Sequence, residues 1–195
     1  SLYRNIQRFI FFQLVVNVTA LLLVLGGSFI GTELPLTITQ MLWVNLIMDT
    51  FAAMALASLP PESDVMRKKP RKQTDFIINR TIGWAISIVG LLFFGLMFAL
   101  LWYFERVAGV SPRELTIFFT IFVMLQWWNL LNAKTLGGCR TAFHRLMADK
   151  GLLLVLAIIL VGQWVIVEFG GKMFRTTPLD LETWMLIIIG TSPVF

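Results

Sequence analysis

Six apolar stretches separated by short polar connections make up most of this 195-residue chain. Five of them reach the roughly 18 residues that allow a helix to cross a bilayer, and the last falls short of the roughly 20 needed for a full crossing. The predicted spans cover about residues 6–30, 37–59, 81–104, 113–134, 151–169 and 181–195. The pattern predicts an all-α fold, a polytopic transmembrane helical bundle of five full spans plus one truncated span.

The composition agrees with a membrane protein. Hydrophobic residues make up 57% of the chain and charged residues 14%, whereas soluble domains are about 25% charged. The single cysteine, Cys139, excludes an internal disulfide and a cysteine-based zinc site, and the single histidine, His144, excludes a histidine cluster. We read the net charge of +5 as a signal of membrane topology, and we expect no nucleic-acid partner.

Basic residues are concentrated in alternate connections, and this bias predicts the orientation of the chain. With the N-terminus placed in the cytoplasm, the inner segments carry 12 of the 16 Lys and Arg residues and the outer segments carry four. Cytoplasmic loops of membrane proteins hold the excess of positive charge. We therefore expect a multi-pass integral membrane protein with a cytoplasmic N-terminus.

A carboxylate, Asp49, lies in the middle of the second span, within MLWVNLIMDTFAAMALA. Asp at a helix centre costs roughly 2.5–3.5 kcal/mol on insertion scales, and an intramembrane carboxylate marks an ion or proton path by default. Asn45 lies four residues earlier, one helical turn away on the same face. Carboxylate and amide oxygens are ligands that suit Ca²⁺. The alternative is a hydrogen-bonded pair that only holds helices together.

Other polar side chains lie in two further spans. Asn17 is in the middle of the first span, and Gln126, Asn129 and Asn132 recur at intervals of three in the fourth, which places them on one helical face. Three polar patches on three spans are what a shared ion site requires. Because Ca²⁺ takes about six to eight oxygens, waters, backbone carbonyls or other parts of the protein must complete the shell. Gln13 and the polar residues before it predict a wet lead-in to the first span.

Several stretches resemble the P-type calcium-transporting ATPases, and the plasma-membrane branch is nearest. VNLIMDTFAAMALASLPP, preceded by QMLW, resembles the sixth transmembrane helix of that family. FQLVVNVTA resembles the fifth helix, FVMLQWWNLLNAK the eighth, and VEFGGKMFRTTPL the join between the ninth and tenth. The resemblance covers nearly the whole chain, and it implies helices five to ten of ten, the last incomplete, with a cytoplasmic start.

The resemblance also implies a set of metal ligands. Asn45 and Asp49 match the sixth-helix pair that binds the calcium ion retained throughout the family. Asn17 matches the fifth-helix asparagine near the pocket, and Gln126 is a weaker candidate on the eighth helix. The family resemblance assigns no catalytic or cofactor-binding residue to this chain.

Three positions differ from the two-ion pumps of the reticulum type. Those pumps have a glutamate where this chain has Ala20, a second glutamate where it has Gln126, and a threonine where it has Met48. Two carboxylates and a hydroxyl are therefore missing from the second ion site. The resemblance implies one Ca²⁺ per transport cycle.

The phosphorylated aspartate of such pumps, normally in a DKTGT context, does not occur in this sequence. Covalent catalysis through an aspartyl phosphate therefore requires other parts of an intact pump, and we expect ATP and Mg²⁺ to act there, with the bilayer and the N-terminal part of the pump as partners. The chain has no initiator Met and no recognisable signal peptide, so we expect it to begin and end within a longer protein.

Three alternatives stay open at this point. The first is a P-type pump for Na⁺, H⁺ or another cation. The second is a self-contained secondary transporter or channel that couples through Asp49, although an internal repeat typical of that class is not recognisable. The third is a structural membrane subunit in which the polar residues only join helices.

Overall fold

The computed structural model describes residues 2–31, 35–57, 59, 77–136 and 149–194, and within these ranges the regular structure is helical. The elements are α1 (Leu2–Ile30), α2 (Ile38–Trp43), a π-helical turn (Val44–Asp49, the π segment), α3 (Thr50–Ala57), α4 (Arg80–Tyr103) with a final π-helical turn (Phe104–Ala108), α5 (Pro112–Thr135), α6 (Lys150–Phe169), α7 (Gly171–Phe174), α8 (Leu181–Thr191) and a 3₁₀ turn (Ser192–Val194). The all-α prediction is confirmed.

Five of the described segments are long and apolar enough to cross a membrane, and a sixth is shorter. The five are Tyr3–Ile30, Ile38–Ala57, Arg80–Ala108, Pro112–Thr135 and Lys150–Phe169, and the shorter apolar helix is Leu181–Val194. This agrees with the bundle of five full spans plus a shorter one. Most of the two basic connections, with Cys139 and His144, lies outside the described residues.

Polar side chains cap the starts of four helices. The Thr37 side chain accepts a hydrogen bond from the Gln40 backbone, and the Gln40 side chain accepts one from Thr37 in return. Asn79, Ser111 and Asp180 cap α4, α5 and α8 through their side chains. The first N–H groups of a helix have no partner within the helix, so these caps stabilise each start where the chain turns.

Helix α5 occupies the centre of the bundle. It packs against α1, α4, α6 and α8, while α1 also packs along α4 and α3, and α3 contacts α6. Phe118, Phe119 and Phe122 of α5 are fully buried. Because α5 touches both halves of the bundle, it joins the helices that carry the candidate site to the remaining helices.

Large apolar side chains cover the outside of the bundle. Phe29 is 91% exposed, Leu181 79% and Ile38 75%. Leaving one such side chain in water costs about 1.5–3 kcal/mol relative to burying it. Lipid removes that cost, so this surface suits a bilayer.

Candidate cation site

The π segment interrupts the second span and holds both of its polar candidates. Asn45 is its second residue and Asp49 its last. The sequence pattern predicted one continuous span over about residues 37–59, and the structure instead has α2, a widened turn and α3. Such a turn is rare inside α-helices and occurs frequently at functional sites. The irregular backbone therefore lies at the same place as the intramembrane carboxylate.

Two oxygens in the π segment are buried without a hydrogen-bond partner among the described residues. They are Asn45 Oδ1 and Asp49 Oδ1. An unsatisfied buried acceptor costs about 1–3 kcal/mol, and more when it is charged. Native structures rarely keep such atoms without an ion, a water or another explanation. A cation bound here would be coordinated by both oxygens.

Helix α1 supplies a polar contact to Asp49 that the sequence pattern did not reveal. The side chain of Gln13 lies beside the Asp49 carboxylate. The expectation of a wet lead-in was wrong for Gln7 and Arg8, which are buried within the protein. Gln7, for example, donates to the carbonyl oxygen of Ile77 at 2.7 Å. A protein contact therefore satisfies the Gln7 side chain.

The register between α1 and the second span places Asn17 at the level of Asn45. Asn5 Nδ2 donates to the carbonyl oxygens of Ala57 at 3.0 Å and Leu59 at 3.1 Å, and Gln13 contacts Asp49 eight residues further along α1. The two segments therefore run antiparallel, with a rise of about 1.5 Å per residue in α1. One turn beyond Gln13, Asn17 lies opposite Asn45.

The side chain of Asn17 is exposed on α1. Gln13, by contrast, is part-buried. The same face of α1 thus carries one part-buried amide beside the carboxylate and one exposed amide. The predicted ligand Asn17 is brought to the right level, without a hydrogen bond to Asn45 or Asp49 among the described contacts.

The polar stripe of α5 separates into two parts. Gln126 and Asn129 are fully buried, and within the described residues none of their side-chain nitrogen and oxygen atoms has a hydrogen-bond partner. Asn132 instead donates to the carbonyl oxygen of Val194 at 2.9 Å, so it joins α5 to the 3₁₀ turn. Among the described contacts Gln126 makes no hydrogen bond to Asp49. The sequence pattern placed Asn129 in the polar stripe but did not name it as a candidate ligand. Its side chain nevertheless lacks hydrogen-bond partners among the described residues, as that of Gln126 does.

The site has one negative charge and otherwise neutral oxygen donors. The described residues contain no group of three or more His, Cys, Asp or Glu side chains arranged to hold a metal. A carboxylate and amides are hard ligands that fit Ca²⁺, which takes about six to eight oxygens. The residues present fit part of such a shell, so further oxygens are required to complete it.

Comparison with known proteins places the chain beside one family. The profile described as "Cation transporting ATPase, C-terminus" matches residues 33–195. The chain is 37% identical to plasma membrane calcium-transporting ATPase 2 of Oreochromis mossambicus, over 95% of this chain and 18% of that protein. It is 37% identical to plasma membrane calcium-transporting ATPase 3 of Homo sapiens, over 95% of this chain and 16% of that protein.

A more distant relative gives the same picture. A plasma membrane calcium-transporting ATPase of Caenorhabditis elegans is 30% identical over 97% of this chain and 16% of its own length. The chain therefore spans less than a fifth of the length of these relatives. The resemblance inferred from individual motifs is confirmed over nearly the whole chain.

Proposed function

We propose that this chain, which belongs to the C-terminal region of the cation-transporting ATPases, is the membrane part of an ATP-driven Ca²⁺ export pump. In that role it supplies oxygen ligands of one intramembrane calcium site. The observation that carries the proposal is the π segment, where the Asn45 and Asp49 oxygens are buried without partners at mid-span. The relatives are calcium-transporting ATPases by name, which supports Ca²⁺ as the ion.

Each proposed ligand has a separate role. Asp49 supplies the anionic oxygen and takes up a proton when calcium leaves. Asn45 and Asn17 supply neutral oxygens at one level of the bundle, and Gln126 lines the pocket more weakly. The position of a single carboxylate among amides supports one Ca²⁺ per cycle.

Transport in this proposal follows alternating access. ATP and Mg²⁺ act in domains outside this chain, where an aspartate is phosphorylated, and the resulting movement changes the helices around the π segment. A conformational change alters the ion's affinity only if the ion binds the two states differently. The residues of the π segment therefore bind calcium tightly when the site faces the cytoplasm and weakly when it faces outward. The pump is proposed to lie in the plasma membrane with residue 1 on the cytoplasmic side.

The test is Asp49→Asn in the full-length protein that carries this chain. We expect calcium-dependent phosphorylation by ATP to be abolished, because the substitution removes the only carboxylate among the described residues of the site at nearly constant volume. The matched control is Asp180→Asn, which changes an exposed carboxylate paired with Arg113 and leaves phosphorylation unchanged. Undiminished calcium-dependent phosphoenzyme in the Asp49 variant removes that residue from the site.

A second candidate is a pump for Na⁺, H⁺ or another cation. The observation that favours it is the low charge of the site, with one carboxylate among the described mid-span residues and neutral amides around it. ATPase activity of the full-length protein, measured with each cation in turn, separates the two. Stimulation by Na⁺ or acid at chelated calcium supports the second candidate, and stimulation by micromolar calcium supports the first.

A further inference from the structure

Helix α6 holds Trp43, the last residue of α2, on two sides. The indole Nε1 of Trp43 donates to Gln163 Oε1 at 3.1 Å. The adjacent Gly162 lies so close that an added Cβ would be 2.4 Å from Trp43 Cη2. An approach under 3 Å requires that something shift, so only glycine allows the ring to lie here. Trp43 is thus fixed by a hydrogen bond and by direct packing on the α6 backbone.

The Gln163 side chain is itself held in one orientation. It is fully buried, and its Nε2 donates to Thr120 Oγ1 of α5 at 3.4 Å. The Thr120 hydroxyl in turn donates to the carbonyl oxygen of Thr116 at 2.8 Å. Because an indole N–H can only donate, the amide oxygen must face Trp43. The chain of bonds therefore connects α2 through α6 to the central helix.

The two halves of the interrupted span are anchored to different parts of the bundle. In addition to the Trp43 contact, α2 is attached at its start. Gln40 Nε2 donates to the carbonyl oxygen of Phe174 at 2.7 Å, and Thr39 Oγ1 donates to the carbonyl oxygen of Met173 at 2.8 Å. The end of α3 is instead attached to α1 through Asn5. The π segment connects these two anchored halves, and Trp43 is the residue directly before it.

We propose that Gln163 is a positioning residue for the cation site. By holding the Trp43 indole, it sets the rotation and depth at which α2 enters the π segment, and so the direction in which Asn45 and Asp49 point toward α1. Gln163 does not contact the ion in this proposal. Its effect on ion affinity rests on the proposed function, whereas its effect on the π segment does not.

The test compares two hydrogen bonds of the same kind in the full-length protein. Trp43→Phe and Gln163→Leu each remove the bond before the π segment. Trp128→Phe and Thr191→Val each remove the indole bond from Trp128 Nε1 to Thr191 Oγ1, which spans 3.0 Å and joins α5 to α8. The first measurement is the calcium concentration that gives half-maximal phosphorylation by ATP, together with the maximal level of phosphoenzyme.

We expect the first pair of variants to raise the half-saturating calcium concentration by roughly two- to ten-fold and to leave the maximal level of phosphoenzyme unchanged. This range corresponds to the free energy of one lost hydrogen bond. The second pair leaves the half-saturating concentration unchanged. Gln163→Glu keeps an acceptor oxygen for the indole and restores most of the affinity. Equal shifts in all four variants, or no shift in any, overturn the positioning role.

The second measurement does not depend on ion binding. Backbone hydrogen exchange of residues 44–49 in detergent micelles without calcium is expected to speed up in Trp43→Phe and Gln163→Leu and to stay unchanged in Trp128→Phe, because exchange reports local opening. Equal exchange in the three variants overturns the proposal. A wild-type protein without any calcium response contradicts the proposed function alone, and the exchange comparison then decides the positioning role by itself.

Discussion

Asp49 is a carboxylate at mid-span with a polar neighbour on a different helix. The Gln13 side chain of α1 lies beside Asp49, and Oδ1 of the carboxylate is unpaired among the described residues. A buried charge is tolerated only when it is paired or hydrogen-bonded. One amide donor offsets part of that cost, and the unpaired oxygen leaves room for a cation to contribute the rest.

At the residue scale, a hydrogen bond from Gln13 to Asp49 is expected to couple the two positions energetically. We predict a coupling of about 1.5–3 kcal/mol between Gln13→Leu and Asp49→Leu, the usual worth of a hydrogen bond to a charged group. Unfolding of both single variants and the double variant in mixed micelles measures it. Gln7→Leu is the control, because Gln7 contacts Ile77 and is expected to show no coupling to Asp49. Strict additivity for both pairs contradicts the proposed contact.

At the scale of single elements, the two ends of α5 carry ion pairs that differ in burial. At its start, Arg113 lies 2.8 Å from Asp180, with both side chains more than half exposed. At its end, Lys134 lies 2.7 Å from Asp149 at the start of α6, and these side chains are only 12% and 7% exposed. Exposed pairs contribute little because water screens them, so of these two pairs the buried one at the end of α5 is expected to contribute more to holding its helices together.

We predict that Lys134→Met destabilises the protein by about 3–5 kcal/mol, because it leaves the Asp149 carboxylate buried without its cation. Arg113→Met is the control and is expected to cost no more than about 1 kcal/mol. Adding Asp149→Asn to Lys134→Met is expected to restore most of the loss. Thermal unfolding in detergent measures all three, and equal losses for Lys134→Met and Arg113→Met contradict the prediction.

The pH of that comparison matters for the control pair. The Thr183 hydroxyl, followed by backbone hydrogen bonds and Arg113, lowers the pKa of Asp180 below its ordinary value. Because this pKa is lower in the folded state, the ionised Asp180 carboxylate stabilises the fold above its unfolded-state pKa. That stabilisation is lost as the pH falls through its folded-state pKa. Measurements at neutral pH therefore keep the control pair charged.

At the scale of the whole molecule, the bundle has a lipid-facing exterior and a polar interior carried by a few side chains. The exposed surface includes large apolar residues from α1, the second span, α4, α6 and α8, whereas the buried amides of the described residues lie on α1, α2, α5 and α6. Helices with this distribution bury their polar groups against each other because lipid offers no partners. The alternation of basic connections then predicts which ends face the cytoplasm.

The orientation can be tested with Cys139, the single cysteine of this chain. In a version of the protein that keeps only this cysteine, we expect a membrane-impermeant maleimide to label it in inside-out vesicles and not in right-side-out vesicles, since the positive-inside bias places its connection in the cytoplasm. The matched control is Cys139→Ser with Val110→Cys on the opposite side, which is expected to label in the reverse pattern. The same sidedness for both cysteines contradicts the topology.

Several structural features could be predicted from the sequence because they depend on local composition. The free energy of moving a run of apolar residues into lipid is a sum over that run, so the helical class and the number of long spans follow from the pattern. The polar positions of the second span could be recognised as a candidate site for the same reason, since Asp49 is costly wherever its helix packs. These conclusions do not require knowledge of any neighbouring helix.

Other features depended on which helices meet. The register between separate helices sets which polar side chains lie near each other, as with Gln13 beside Asp49 and Asn17 at the level of Asn45. It also decides that, among the described residues, Asn132 is hydrogen-bonded while Gln126, on the same face of α5, is not. The widened turn at residues 44–49 and the contact of Trp43 with α6 likewise depend on how separate helices pack.

The sequence by itself therefore determined the fold class, the family and the residue types of the site, because each follows from transfer energies and motifs along the chain. Only the tertiary structure decided which polar groups satisfy each other and which stay unpaired, because a hydrogen bond between helices depends on distances that local composition does not specify.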